Sequence, residues 1–133
     1  MKTLKKGLLA LGLTLGIIAS VGGSSVFAVS YRRGYVNGAY VTAESNISYI
    51  KATGQTLSPK VGLVTVTSRY IYVNTRTFNA GRQDKYDGDT IRKLAKVSFT
   101  APNNTKSITI TSSHKVSSYG ETWTACTTNE YKG

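Results

Sequence analysis

The sequence predicts an all-β domain, a small antiparallel β-sandwich or barrel of about six to eight strands, preceded by a secretory signal peptide. After residue 28, runs rich in Thr, Val, Ile and Tyr alternate apolar and polar side chains with a period of two, and Leu occurs only at Leu57, Leu63 and Leu94. Turn-forming residues separate these runs at short intervals. Apolar residues do not recur at the three-and-four spacing of a long amphipathic helix.

The predicted strands follow from this alternation, in chain order. A first strand is expected at 39–44 and a second around Ile47 and Tyr49. Segment 61–78 is long enough for one bent strand or two consecutive strands. The side chains expected to share a face within each later strand are Val64, Val66, Ser68, Tyr70 and Tyr72, then Ala95, Val97, Phe99 and Ala101, then Ile108 and Ile110, and finally Trp123, Ala125 and Thr127.

Turns and breaks are expected where Asn, Asp, Gly and Pro cluster, because these residues tolerate positive φ or restrict the backbone. The sequence places such clusters at 37–38, 53–54, 58–59, 87–88 and 102–104. One short segment, 87–96, carries helical signals, since Asp89 is placed to cap a single helical turn before the strand that follows Leu94.

The N-terminus has the three parts of a secretory signal peptide. Three lysines within the first six residues precede an uncharged apolar run, and Val26 and Ala28 supply the small side chains that a signal peptidase accepts three and one positions before the cut. Cleavage is therefore predicted between Ala28 and Val29. Residues 1–28 are then the signal peptide, and 29–133 form a single secreted β domain.

The alternative is an uncleaved N-terminal membrane anchor. Residues 7–30 carry no charge, and about 20 apolar residues are enough to span a bilayer. The strongly apolar part is confined to 8–21, however, and a Gly-Ser break precedes a good cleavage site. Basic residues before the apolar run stay on the cytoplasmic side, so either interpretation places the rest of the chain outside the cell.

The predicted secreted domain is strongly basic. Three of the 17 basic residues lie before residue 28, so 14 remain against six acidic ones, a net charge of +8. Such a domain is attracted to polyanions: teichoic acids, anionic lipid headgroups, acidic glycans or nucleic acid. The basic residues are scattered, which disfavours a specific nucleic-acid site. The alternative is that the charge serves only solubility.

Arginine and tyrosine mixed at short spacing mark the candidate binding residues. Guanidinium groups bind phosphate or carboxylate in bidentate fashion, and tyrosine adds a flat amphipathic face that suits sugars or a membrane interface. The alternative is that these tyrosines are ordinary core and rim residues. The candidates are Tyr31, Arg32, Arg33 and Tyr35, which lie close to Tyr40, together with Arg69, Tyr70, Tyr72 and Arg76.

Two single residues could in principle carry chemistry. His114, the only histidine, lies in a polar segment without a G-x-S-x-G motif, and we interpret it as a surface residue. Cys126, the only cysteine, excludes a disulfide framework and is expected to be a small buried residue, with an intermolecular disulfide as the alternative.

The segment 84–89 holds half of the acidic residues. Asp84, Asp87 and Asp89 lie near Gly88, as in a calcium loop, but their spacing departs from the EF-hand pattern and basic residues flank them. A charged hairpin tip or a helix cap is the simpler interpretation, so neither a metal nor a small-molecule cofactor is predicted.

These observations favour a secreted, cationic, non-enzymatic binding protein directed at an anionic cell envelope or membrane surface. In outline alone (signal peptide, one basic domain, no disulfide framework) the chain is similar to small secreted β-sandwich bacteriocins, so bacteriocin-like damage to a competitor is one expected form of this binding. The first alternative is a structural or adhesive matrix or surface protein that self-associates through exposed strand edges. The second is a small secreted hydrolase that uses His114.

The cleavage site gives a first test. Protein recovered from the medium of an expressing culture should have the intact mass of 29–133, and Ala28→Tyr should prevent cleavage because the peptidase pocket accepts only small side chains. Intact-mass spectrometry of both proteins checks this. A secreted wild-type chain that keeps residues 1–28 would contradict it.

Overall fold

The computed structural model describes residues 30–132, and these form six antiparallel strands without a helix. The all-β prediction is therefore confirmed. The predicted signal peptide and its cleavage site lie outside the described residues. The strands are β1 (Tyr31–Val36), β2 (Ala39–Ile47), β3 (Lys51–Asn74), β4 (Ala80–Thr100), β5 (Thr105–Ser118) and β6 (Glu121–Glu130).

Strand β3 is the centre of the sheet. Its first half pairs with β2 and its second half pairs with β5, while β4 pairs with both halves along the opposite edge. β1 continues the sheet beyond β2, and β6 continues it beyond β5. Because β2 and β5 follow each other along one edge of a bent strand, the sheet folds over on itself. The result is a nearly closed, barrel-like sheet with β1–β2 packed over β5–β6.

The bend in β3 lies where the sequence places a break, at Ser58-Pro59. Leu57 pairs with Leu94 and Gly62 pairs with Arg92, so β3 carries extra residues that have no partner in β4. The Ser58 hydroxyl donates to the carbonyl of Lys60 at 2.7 Å and holds this bulge. Gly62 is required there, because a Cβ at this position would lie 2.7 Å from the carbonyl oxygen of Ser117.

Local turn signals are confirmed at two positions and wrong at two others. Asn37-Gly38 joins β1 to β2 with positive φ at both residues, and 102–104 joins β4 to β5. By contrast, 53–54 and 87–88 lie inside β3 and β4, and the helical turn expected at Asp89 is also strand. Pairing of β4 with β3 along most of its length outweighs these local preferences. The β3–β4 turn is instead 75–79, where the Asn74 side chain accepts two backbone N–H groups.

Most predicted inward faces are confirmed. Val64, Val66 and Tyr70 of β3 and Val97 and Phe99 of β4 belong to the buried apolar cluster. In β5 a register shift opposite Ile71 and Tyr72 buries Ser107 and Ile110, so Ile108 is only half-buried and its expected inward position is not fully met.

One edge of β4 pairs with β3, and side chains from the first half of β4 bond backbone groups of its second half along the other edge. Gln83 and Lys85 donate to the carbonyls of Thr100 and Ser98, at 3.5 and 2.6 Å, and the Asp87 carboxylate accepts the Lys96 N–H at 2.9 Å. Lys85 also lies over the buried Phe99 ring, 5.3 Å from its centroid. Inward-facing polar residues thus satisfy edge groups that would otherwise be available to another strand.

The other junction lies between β1 and β6. The indole of Trp123 packs against Gly34 so closely that a Cβ at residue 34 would overlap the ring. Nearby, the Asn37 side chain donates to the Ser118 carbonyl at 2.7 Å. Farther along, the Asn129 side chain donates to the Ser45 carbonyl at 2.9 Å. These contacts hold the two layers together without a strand ladder between β1 and β6.

This junction can be tested at Gly34. Gly34→Ala should lower the free energy of unfolding by about 1–3 kcal/mol, because the added methyl overpacks the indole ring. Trp123 is the only tryptophan, so its emission should also shift to the red. In a Trp123→Leu background the same substitution should cost much less; equal costs in both backgrounds would show that the ring does not pack on Gly34.

Candidate functional site

The outer face of the β1–β2 hairpin carries a cluster of exposed tyrosines around one arginine. Alternation in β1 places Tyr31, Arg33 and Tyr35 outward, and Tyr40 lies directly opposite Tyr35 in β2. The Tyr35 and Tyr40 rings meet edge-on with centroids 5.4 Å apart. All four side chains are exposed. We call this set the tyrosine–arginine face.

The polar groups of this face influence one another. Interaction with Tyr31 and with Arg33 lowers the pKa of Tyr40, and interaction with Tyr40 raises the pKa of Tyr31. Interaction with Tyr40 also raises the pKa of Arg33. A guanidinium has five N–H donors, so Arg33 can interact with this hydroxyl and still bind an anion. The arrangement therefore presents an exposed cation among flat aromatic rings.

The sheet register extends this face across β3 and β4. Arg33 is opposite Thr42, which is opposite Leu57, which is opposite Leu94. Leu57 and Leu94 are therefore an outward cross-strand pair, and each is 42% exposed. We call them the leucine pair. The next row of the same face is Tyr31, Glu44, Gln55 and Lys96.

The remaining predicted binding residues do not join this face. Arg32 lies on the inner side of β1, and Arg69 lies on the other layer, where it forms a salt bridge with Asp84 at 2.8 Å. Tyr72 is half-buried over Gly81. Arg76 lies in the β3–β4 turn, which contacts the β4–β5 turn at the start of β5. The β1–β2 turn contacts the other end of β5, at Ser118, so Arg76 lies at the opposite end of the barrel from that turn.

Tyr70 requires a correction. Its side chain is 0% exposed, and its hydroxyl is hydrogen-bonded to Ser107 at 2.6 Å. Burial raises its pKa. Alternation along β3 puts Tyr70 in the same inward phase as Val64 and Val66, so it is a core residue rather than a binding residue.

The acidic segment forms ion pairs along β4. Asp84 bonds Arg69 and Arg82, and Asp87 bonds Arg92 at 2.7 Å. The Lys96 N–H, with help from Arg92, holds the pKa of Asp87 below its usual value. Among residues 30–132, no three His, Cys, Asp or Glu side chains are grouped so that they could hold a metal ion.

Cys126 is buried, as the sequence predicts. Its Sγ lies 3.9 Å from the Ser113 hydroxyl, and burial raises the pKa of the thiol. Burial therefore disfavours the reactive thiolate, and it also disfavours the intermolecular disulfide given as an alternative.

His114 also requires a correction, because it is a core residue and not a surface one. It is 2% exposed, with Nδ1 2.7 Å from the Thr56 hydroxyl and Nε2 2.8 Å from the Thr127 hydroxyl. The Thr56 hydroxyl donates to the Thr65 carbonyl, so it must accept from His114 Nδ1–H. Nε2 then accepts from Thr127, which satisfies both ring nitrogens.

A chain of buried hydroxyls extends this arrangement across the core. Ser45 Oγ lies 2.5 Å from Thr127 Oγ1 and 2.9 Å from Ser112 Oγ, and Ser112 contacts Ser68 at 2.6 Å. Gly54 makes room for it, since a Cβ there would collide with the Ser112 hydroxyl. The hydroxyl–imidazole network is the name used below for six buried side chains: Ser45, Thr56, Ser68, Ser112, His114 and Thr127. It is sealed from solvent, so it offers no base to a substrate.

The chain was compared with family models, curated proteins and solved structures. No family model, no curated protein and no solved structure matches this chain. Within the described part of the chain, no helix is long and apolar enough to cross a membrane.

The hydroxyl–imidazole network predicts acid sensitivity. Burial lowers the pKa of His114 from 6.5 to about 3, so between these values the unfolded chain binds a proton that the folded chain excludes. Stability should therefore fall as the pH drops through 6.5. Between pH 7 and pH 5 the free energy of unfolding should decrease by about 2 kcal/mol, as measured by urea denaturation.

This pH window isolates His114, since it is the only histidine and Asp87 loses its ionised form only at lower pH. His114→Gln should remove the decrease between pH 7 and pH 5. Should this variant not fold, NMR titration of the wild-type imidazole decides the question. An imidazole that titrates near 6.5 in the folded protein would show that His114 is not buried.

Proposed function

We propose that this chain is a secreted, cationic, non-enzymatic protein that binds an anionic surface of a cell envelope through the tyrosine–arginine face. One observation carries the proposal: Arg33 lies exposed among three exposed tyrosines on the outer face of the β1–β2 hairpin. Secretion itself rests on the N-terminal sequence. Bacteriocin-like damage to a competitor would be a consequence of such binding.

The state of Arg33 supports this role. The salt bridges of residues 30–132 involve Arg69, Arg82 and Arg92 with Asp84 and Asp87. Arg33 takes part in none of these salt bridges, so within residues 30–132 no ion pair neutralises its charge.

The two alternatives have less support. Self-association through strand edges would need free backbone groups, but Gln83, Lys85 and Asp87 occupy part of the β4 edge, and β1 packs against β6. A hydrolase that uses His114 would need an accessible base, whereas this imidazole is enclosed by Thr56 and Thr127.

Salt-dependent binding tests the proposal. Protein from the medium should bind phosphatidylglycerol-containing vesicles or cell-wall sacculi at low salt, and co-sedimentation should show weaker binding as salt screens the charges, because the Debye length falls from about 10 Å at 0.1 M to about 3 Å at 1 M. Arg33→Gln should weaken binding about fivefold, the effect of one arginine near an anionic surface.

Arg76→Gln is the matched control, since it removes the same charge from the exposed turn at the opposite end. It should weaken binding clearly less than Arg33→Gln. Equal effects would assign the binding to net charge alone. Absence of binding to both vesicles and sacculi at low salt would overturn the proposed function and direct attention to self-association.

A further inference from the structure

Resting on the proposed function, we infer that the envelope component in contact with this protein is the lipid bilayer, and that the leucine pair inserts at its interface beside the tyrosine–arginine face. The surface is then more than an anion site. It combines basic, aromatic and aliphatic side chains on one outer face of the sheet.

The leucine pair lies on the outer side of the sheet and is partly exposed to solvent. Leu57 and Leu94 lie directly opposite each other and in the outward phase of their strands, beside the inward Thr56 and Ala95. Only three leucines follow residue 28, and two of them, Leu57 and Leu94, are exposed on the outside of the fold. Grouped exposed apolar residues mark surfaces that contact a partner or a membrane.

The corner next to the leucine pair is apolar as well. Gly62 pairs with Arg92 just beyond the pair, and Val61 and Ile91 precede these two residues in their strands. Ile91 is 75% exposed, and Val61 is also exposed. Both lie where the β3–β4 hairpin bends, so the apolar surface continues onto the corner of the barrel.

Basic residues accompany this apolar surface. Arg33 and Lys96 lie in rows of the same outer face, and Lys60 and Lys93 lie at the bend, all of them exposed. The acidic residues nearest to this surface are Glu44, Asp89 and Asp87, and Asp87 is bound to Arg92 and to the Lys96 N–H. Long basic side chains can keep their charge at anionic headgroups while their stems lie on apolar surface.

A bilayer fits this surface better than a wall polymer does. A polysaccharide or polyphosphate chain uses aromatic faces and cations, but it offers nothing apolar to the leucine pair or Ile91. A bilayer interface accommodates all three types of side chain, because tyrosine settles at the headgroup level and aliphatic side chains reach the acyl boundary. The convex outer side of a sheet also meets a membrane more readily than it encloses a polymer.

Vesicle partitioning of a double variant tests this inference. Leu57→Ser/Leu94→Ser should reduce binding to phosphatidylglycerol–phosphatidylcholine vesicles about tenfold, because apolar area no longer leaves water. The wild type should retain part of its vesicle binding at 1 M salt, whereas this variant should lose it. Thermal unfolding verifies that the variants are folded.

Ile50→Ser/Phe78→Ser is the matched control. Both residues are exposed and apolar, but they lie in the turns at the opposite end of the barrel, so binding should be unchanged. Equal losses in both double variants, or wild-type vesicle binding that salt abolishes completely, would overturn the bilayer contact. Arg33-dependent binding to sacculi without binding to vesicles would also overturn it while leaving the proposed function intact; no binding to either would remove both.

Discussion

Strand β3 changes neighbours part-way along its length, from β2 to β5, and the positions of all other strands follow from that change. The unpaired residues between Leu57 and Gly62 let β3 bend, and Gly62 lets the bent backbone approach Ser117. β4 must bend with β3 because it pairs with both halves. The two halves of β4 then face each other, close enough for Gln83 and Lys85 to bond backbone carbonyls across the gap. A single bent hairpin thus produces a nearly closed sheet in a chain without disulfides.

The interior of this sheet is unusually polar. Six buried side chains, three serines, two threonines and His114, bond one another where aliphatic side chains would ordinarily pack. Buried hydroxyls are acceptable only when their partners are supplied, and here each strand from β2 to β6 except β4 contributes at least one. The network therefore favours one register of the layers, at the cost of excluding a proton that His114 would otherwise bind in mild acid.

The same bend positions the candidate functional surface. It brings Leu94 opposite Leu57 and so completes the outer row that begins at Arg33. In the other layer, by contrast, the arginines are held in ion pairs: Arg69 and Arg82 are both bound to Asp84. Among residues 30–132, Arg33 and Lys96 of the β1–β2 side form no salt bridge, and this asymmetry supports assigning binding to that side of the barrel.

The sequence alone determined the strand class, most inward faces and the tyrosine–arginine cluster, because a period of two and neighbours in one hairpin are local properties. Leu94 was also readable in principle, since it lies in the phase of Lys96 and breaks the polar side of its strand. Only the tertiary structure decided that Asp87-Gly88 is strand, that His114 and Tyr70 are core, and that Arg69 and Arg76 are remote from Arg33. Each of these outcomes depends on which distant strand lies alongside. The pairing of strands on either side of the bend in β3 sets this, and no local pattern in the chain specifies that pairing.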